Sequence, residues 1–198
     1  MSSLFGHAAA GGAAYFAWST PKAALRHWPL WVLMGIAVAP DLDHLAIWYG
    51  GMSPVFRPTH SVLVCALLGI SVWLAGRHWG RDQPNALPLK ACLMAASSHL
   101  VLDCLTGAHH DPWLWPLSST VYHSRMGLLP SAGRMGLSNY YFWRNLMLEM
   151  GVLLPVLTAW VLWQRGQLVQ ACQQHPWVTG AMAILCATCL LISTQLQR

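Results

Sequence analysis

Residues 177–193 (WVTGAMAILCATCLLIS) carry no charged side chain, and residues 146–163 (LMLEMGVLLPVLTAWVLW) carry only Glu149. Segments this long and apolar satisfy their backbone hydrogen bonds as helices, and such helices need either a large core or a lipid bilayer around them. Composition decides between the two. Hydrophobic residues make up 56% of the 198 residues and charged residues 9%, where a soluble domain carries roughly 25% charged. That is too little charge to cover a water-soluble globule, and an aromatic content of 11% with so few charges excludes a disordered chain. An integral membrane protein is expected, with residues 1–198 forming a single embedded domain.

Four further apolar runs come first: 4–19 (LFGHAAAGGAAYFAWS), 28–39 (WPLWVLMGIAVA), 61–76 (SVLVCALLGISVWLAG) and 91–105 (ACLMAASSHLVLDCL). Pro21 and Pro40 close the first two. Segment 41–60 is polar and turn-rich, 77–90 reads as a loop, and 106–145 is long, irregular and rich in Trp, Tyr, Pro and Gly. The pattern predicts an all-α polytopic membrane bundle of about six helices. The last two are long enough to cross; the first four cross only with their polar ends counted, or enter partway around a polar centre. The Gly-rich first run suits close helix packing. Cys65, Cys92, Cys104, Cys172, Cys186 and Cys189 lack the paired spacing of a zinc site and are expected to pack as small residues. Trp113, Trp115, Trp143, Trp163 and Trp177 suit an interfacial belt.

The net charge is +5, but the 11 Lys and Arg stand singly. This fits membrane orientation and anionic head groups rather than nucleic acid. If all six segments cross, Lys22, Arg26, Arg77, Arg81, Lys90 and Arg165 share one side. Arg57, Arg125, Arg134, Arg144 and Arg198 are spread over longer loops on the other. The denser side is expected to be cytoplasmic, which places 41–60 and 106–145 on the outer face.

Polar residues then become the informative ones. His7, Asp41, Asp43, His44, Arg57, His60, His99 and Asp103 lie inside or at the ends of apolar runs. A charge at membrane depth costs about 2.5–3.5 kcal/mol even on lenient scales, so such groups persist when paired, hydrated or metal-bound. His99 and Asp103 are spaced to share one helix face. Asp41 and Asp43 follow the helix-breaking Pro40, His60 opens the third run and His7 the first; alternating topology puts all of them at one end. Mixed imidazole and carboxylate ligands suit zinc, manganese or iron. The candidate ligands are His7, Asp41, Asp43, His60, His99 and Asp103, enough for two divalent ions with Asp103 or Asp43 bridging. His44 suits an outer role. Arg57 either holds an anionic substrate or steadies a ligand carboxylate. His109 and His110 are candidate proton donors, and Asp111 beside them supplies either an acid or a further ligand. Glu149 either caps the site or pairs with Arg144.

An early His, P40-D-L-D-H44, R57-P-T-H60-S61, H99-L-V-L-D103 and L114-W-P-L117, in this order over roughly residues 1–120, resemble the YdjM type of membrane-bound metal-dependent hydrolases, some of them LexA-regulated. That family looks distantly similar to zinc-dependent phospholipase C and the S1/P1 nucleases, which use an early His, an Asp, a second His and an HxxxD helix as zinc ligands. The resemblance implies a phospholipase C-like site with His7, Asp43 or Asp41, His60, His99 and Asp103 as ligands. His123 is not followed by Glu four residues on, so two ions, zinc first, are expected rather than three. The expected function is hydrolysis of a lipid or lipid-linked phosphoester in a bacterial inner membrane, with the site facing the periplasm. Alternatives are a metal-dependent lipid ester or amide hydrolase, a divalent-cation transporter, or a structural protein.

Overall fold

The computed structural model describes residues 3–18, 27–51, 56–79, 87–107, 110–123, 127–131 and 138–196. Among these the regular structure is helix, apart from one two-residue β pairing. Helices α1 (Leu4–Trp18), α2 (His27–Val38), α4 (Val62–Trp79), α5 (Leu89–Thr106), α6 (Tyr140–Gln164) and α8 (Pro176–Leu196) occupy the six apolar runs. Short helix α3 (Asp43–Gly50) falls in the segment read as turn-rich, and short helix α7 (Leu168–Gln174) in the connection between the last two apolar runs. Strands β1 (His110–Asp111) and β2 (Tyr122–His123) pair antiparallel, His110 opposite His123.

Helix α6 starts earlier than expected, inside the stretch thought irregular. The Asn139 side chain accepts the Tyr141 N–H at 2.9 Å, a helix N-cap. The aromatic run that follows then continues as helix because Phe142 is buried in the bundle. At the other end of the site region, α5 closes on Gly107, whose left-handed φ of 60° lets its N–H reach the Asp103 carbonyl.

Helix α1 is central, packing on α2, α5 and α6; α4 lies on α5, and α8 lies on α6. A glycine allows two of these approaches. A Cβ on Gly11 of α1 would run into the Leu33 carbonyl of α2, and one on Gly69 of α4 would sit 3.0 Å from the Cys92 carbonyl of α5. Cys65, Cys92 and Cys189 are buried in these seams and all six cysteines are free, as packing residues would be.

Helices α4, α5, α6 and α8 are long and apolar enough to cross a bilayer. Outward-facing Leu63, Leu67, Leu74, Leu154, Ile184 and Leu191 leave them an apolar exterior. No aqueous surface tolerates so continuous an apolar face; lipid does. Trp28, Trp79, Trp163 and Trp177 are exposed at helix ends, where an interfacial belt belongs. The chain is an integral membrane protein.

Gly11→Ala is expected to lower stability by about 1–3 kcal/mol, the usual cost of overpacking a tight contact. Gly180→Ala, where a Cβ meets nothing within 4 Å, should be neutral or slightly stabilising. Thermal unfolding of both variants in the same detergent tests the comparison.

Candidate metal centre

Local chain breaks deliver the polar residues to one end of the bundle. Pro40 lacks an N–H and ends α2, and the chain tightens into a 3-10 turn over Ala39–Leu42 before α3 starts at Asp43. Pro58 opens a second 3-10 turn, Pro58–His60. Ser61 follows it, and its hydroxyl accepts the Val64 N–H at 3.1 Å to start α4. His99 and Asp103 stand one turn apart on α5, and His7 stands one turn into α1.

Five of these side chains meet in a closed shell. His7, His60 and His99 are 0% exposed, Asp103 2% and Asp41 6%. Asp41 Oδ1 lies 3.7 Å from Nε2 of both His60 and His99. Asp103 Oδ2 lies 3.5 Å and 3.3 Å from the same two nitrogens. The second oxygens turn the other way: Asp41 Oδ2 is 3.7 Å and Asp103 Oδ1 3.6 Å from His7 Nε2. The His7 ring stacks on His99 with centroids 3.8 Å apart.

Most of these separations are too long for hydrogen bonds. They are close to the roughly 3.3 Å edge of a tetrahedron of ligands about 2.0–2.1 Å from a zinc ion. Both nitrogens of His7 and the Oδ2 of Asp41 are buried without a hydrogen-bond partner among the described residues. Orphaned buried groups of this kind are rare and ask for a ligand. The donor set of Asp41, His60, His99 and Asp103 therefore fits a metal ion, and its ligand atoms all lie within 4.8 Å of one another.

Backbone and side-chain partners fix the imidazoles for that task. The Nδ1 of His99 donates to the Ala37 carbonyl at 2.7 Å. The Nδ1 of His60 donates to the Thr59 hydroxyl at 3.0 Å, and that hydroxyl donates to Asp43 Oδ2 at 2.7 Å. Both Nε2 atoms are thereby turned inward, and they stand 3.0 Å apart. Two lone pairs at that distance need a proton or a cation between them. His60 lies just outside α4. Burial pushes its pKa down, but the Asp103 and Asp41 carboxylates beside it outweigh this and hold it up at about 9.

A second group, Asp41, Asp43 and His44, lies beside the first and shares Asp41 with it. Arg57 fills it. The Arg57 Nη2 donates to Asp43 Oδ1 at 2.7 Å, to Asp41 Oδ1 at 3.0 Å and to His44 Nδ1 at 3.0 Å, and its Nε donates to Asp43 Oδ2 at 2.9 Å. Burial would raise the Asp43 pKa, but the Arg57 hydrogen bond and charge, with Thr59, hold it below the usual carboxylate range. Of the two roles expected for Arg57, the structure shows it steadying carboxylates; at 3% exposure it is enclosed by them.

His7, Asp41, His60, His99 and Asp103 thus converge, with Asp43 and His44 adjacent on Arg57. His109 lies outside the described residues, as does Arg125, and so do the side chains of His110 and His123. Asp111 is buried at 4% exposure beside the cluster. Glu149 pairs with the first turn of α1: its two oxygens accept the Ser3 N–H at 2.9 Å and 3.1 Å. Arg144 instead donates to Asn145 and lies over the Tyr141 ring. The contributions of Thr59 and of the Ala37 carbonyl were not anticipated; a backbone oxygen leaves no mark in a sequence, whereas Thr59 sits inside the R-P-T-H motif and was available.

The sequence model of the YdjM inner membrane protein family matches residues 1–197. No curated protein and no solved structure matches the chain.

Purified protein is expected to carry a divalent transition metal by elemental analysis, and Asp103→Asn, which keeps shape but loses charge, should lose it while remaining folded. Unchanged metal content in a folded variant would refute the assignment. The proton on His60 occupies a nitrogen that the ion needs. Ion affinity should therefore rise with pH toward about 9 and fall below it, as competition with a fluorescent chelator across a pH series would report.

Proposed function

The chain belongs to the YdjM inner membrane protein family, and we propose that it is a metal-dependent hydrolase of a lipid or lipid-linked phosphoester. The observation that carries this is the buried shell of three imidazoles and two aspartates with ligand atoms 3.0–3.7 Å apart. A divalent ion bound there, zinc first and manganese or iron next, would activate water by lowering its pKa toward about 7 and would stabilise charge developing on an ester oxygen.

The division of carboxylate oxygens supports two ions rather than one. Asp41 Oδ1 and Asp103 Oδ2 face His60 and His99, while Asp41 Oδ2 and Asp103 Oδ1 face His7. If two ions bind, both aspartates would help to hold each of them. The Asp41–Asp43–His44 group is a poorer second site because the Arg57 guanidinium already supplies its positive charge. Arg57 holds Asp41 and Asp43 in position, and Thr59 links that pair to His60. The order of ligands along the chain parallels that of phospholipase C and the S1/P1 nucleases, which favours phosphorus over carbon as the centre attacked. That parallel is an analogy of motif order.

Orientation follows the girdle at the opposite end. Arg77 lies over the Trp73 ring and Lys90 over the Trp18 ring, each at 5.2 Å, and Arg165 donates to the Phe16 carbonyl. Basic residues anchored by Trp at that end favour the cytoplasm, an orientation in which the buried metal centre would lie toward the periplasmic side.

Zinc-loaded protein incubated with inner-membrane lipids should release phosphorylated head groups, followed by mass spectrometry, and His99→Ala should release none. Free fatty acid instead would mean a carboxylic ester is cut, and metal flux into proteoliposomes without hydrolysis would mean transport. His7→Ala should lower the metal content from about two ions to one; loss of both would exclude the bridged arrangement.

A further inference from the structure

An apolar groove of about 480 Å³ lies between α1, α2 and α6, a volume in the range of small-molecule sites. Ala8, Ala9, Gly12 and Ala13 form its floor on successive turns of one α1 face. Leu30 and Met34 of α2 make one wall, and Leu154 and Leu157 of α6 the other. Thr158 brings a hydroxyl, and no charged side chain stands among the described residues that line it. Such a lining recognises hydrocarbon and has nothing to offer a charged or sugar-like ligand.

Two contacts fix how the groove runs. Glu149 of α6 accepts the Ser3 N–H at the start of α1, and Arg165 donates to the Phe16 carbonyl near its end. The two helices therefore run side by side in the same direction. The floor begins at Ala8, the residue after His7, and ends at Phe16, about 12 Å farther along the helix. On the α2 wall, Met34 stands one turn before Ala37, whose carbonyl accepts the His99 Nδ1 proton. Both α1 and α2 thus lead from the groove to the imidazole shell. What covers the groove follows from its surroundings. Phe16 and Leu154 on its rim are exposed, and the outer faces of the long helices are apolar, so lipid rather than water meets it. A partner's membrane helix is about 10–12 Å across and needs about 30 Å of face to cross beside. The groove runs for less than half of that. A lipid chain is thin and can end partway.

We infer that this groove seats one hydrocarbon chain of the lipid whose head group is worked on at the metal centre, an inference that deepens the hydrolase reading and rests on it. The chain lies along Ala8–Phe16 and leaves the phosphoester at the His7 end. A floor of this length takes about ten carbons of an extended chain, at roughly 1.2 Å per bond as in extended backbone. The substrate class is therefore a phosphoester that carries a linear acyl or alkyl chain, and the groove measures that chain.

The test uses the zinc-loaded full chain in lipid nanodiscs and a series of alkyl phosphodiesters of increasing chain length. For the parent, kcat/KM should rise with length to about ten carbons and then level off. Thr158 lies halfway along α6 between Glu149 and Arg165, so Thr158→Trp should block the lower half of the groove. Its rise should stop at about five carbons, and its ratio of long-chain to short-chain kcat/KM should fall about tenfold or more, the scale on which an apolar pocket discriminates. Ile184→Trp, on the outward face of α8, should keep the parent profile. A non-cleavable phosphonate lipid with a diazirine at its chain end should, on photolysis, label α1 and α6 near Phe16 and Leu162. A parent profile in Thr158→Trp, or the same shift in Ile184→Trp, would overturn the inference. So would a groove without label, or equal labelling of the outward faces of α4 and α8. Labelling of the groove in a parent that cuts no ester would refute the hydrolase reading and uphold the groove as a lipid-chain seat.

Discussion

Desolvation governs this molecule. Three imidazoles, three aspartates and a guanidinium lie at one end of an apolar bundle, nearly all out of contact with solvent. Each would cost several kcal/mol if left alone in a low-dielectric surround. They are tolerable only because opposite charges lie a few ångströms apart, and because hydrogen bonds aim each group. The positions of the helix ends can be understood from that requirement. The breaks at Pro40 and Pro58 and the Gly107 cap bring chain termini of helices, rather than helix middles, against the cluster.

Precision at the site depends on close contact elsewhere. The candidate ligands come from α1, the turn after α2, the turn before α4, and α5. Their spacing survives only if those helices keep a fixed separation. The backbone contacts at Gly11 and Gly69 set it, since no side chain intervenes that could change rotamer. The Ser3–Glu149 contact fastens α1 to α6 in the same manner, close to the turn that carries His7.

Much of the site was legible because polar residues are conspicuous in apolar runs. His99 and Asp103 announce a shared helix face by spacing alone, and alternating topology brings His7, Asp41 and His60 to the same end. The role of Arg57 was legible only as a choice, since a guanidinium suits phosphate and carboxylate alike; the structure shows which anions it meets. Helix α3 and the first turns of α6 were missed. Short polar helices have no long periodicity, and the Tyr140–Trp143 aromatic run looks the same in a helix as in a loop until Asn139 is seen to cap it. The Ala37 carbonyl and the Glu149 contact to Ser3 depend on tertiary approach, which local sequence does not encode.

Arg57 has a consequence for assembly. Its fixed positive charge already answers Asp41 and Asp43, and a proton on His60 can answer Asp103. Three carboxylates against Arg57 and a protonated His60 leave the cluster about one negative charge away from neutrality with no ion bound. Unlike a zinc finger, which collapses when its metal is withheld, a bundle whose buried carboxylates are this far compensated by its own cations would be able to fold before any ion entered. On the metal-dependent reading proposed above, cation supply would then set activity without changing how much protein the membrane holds.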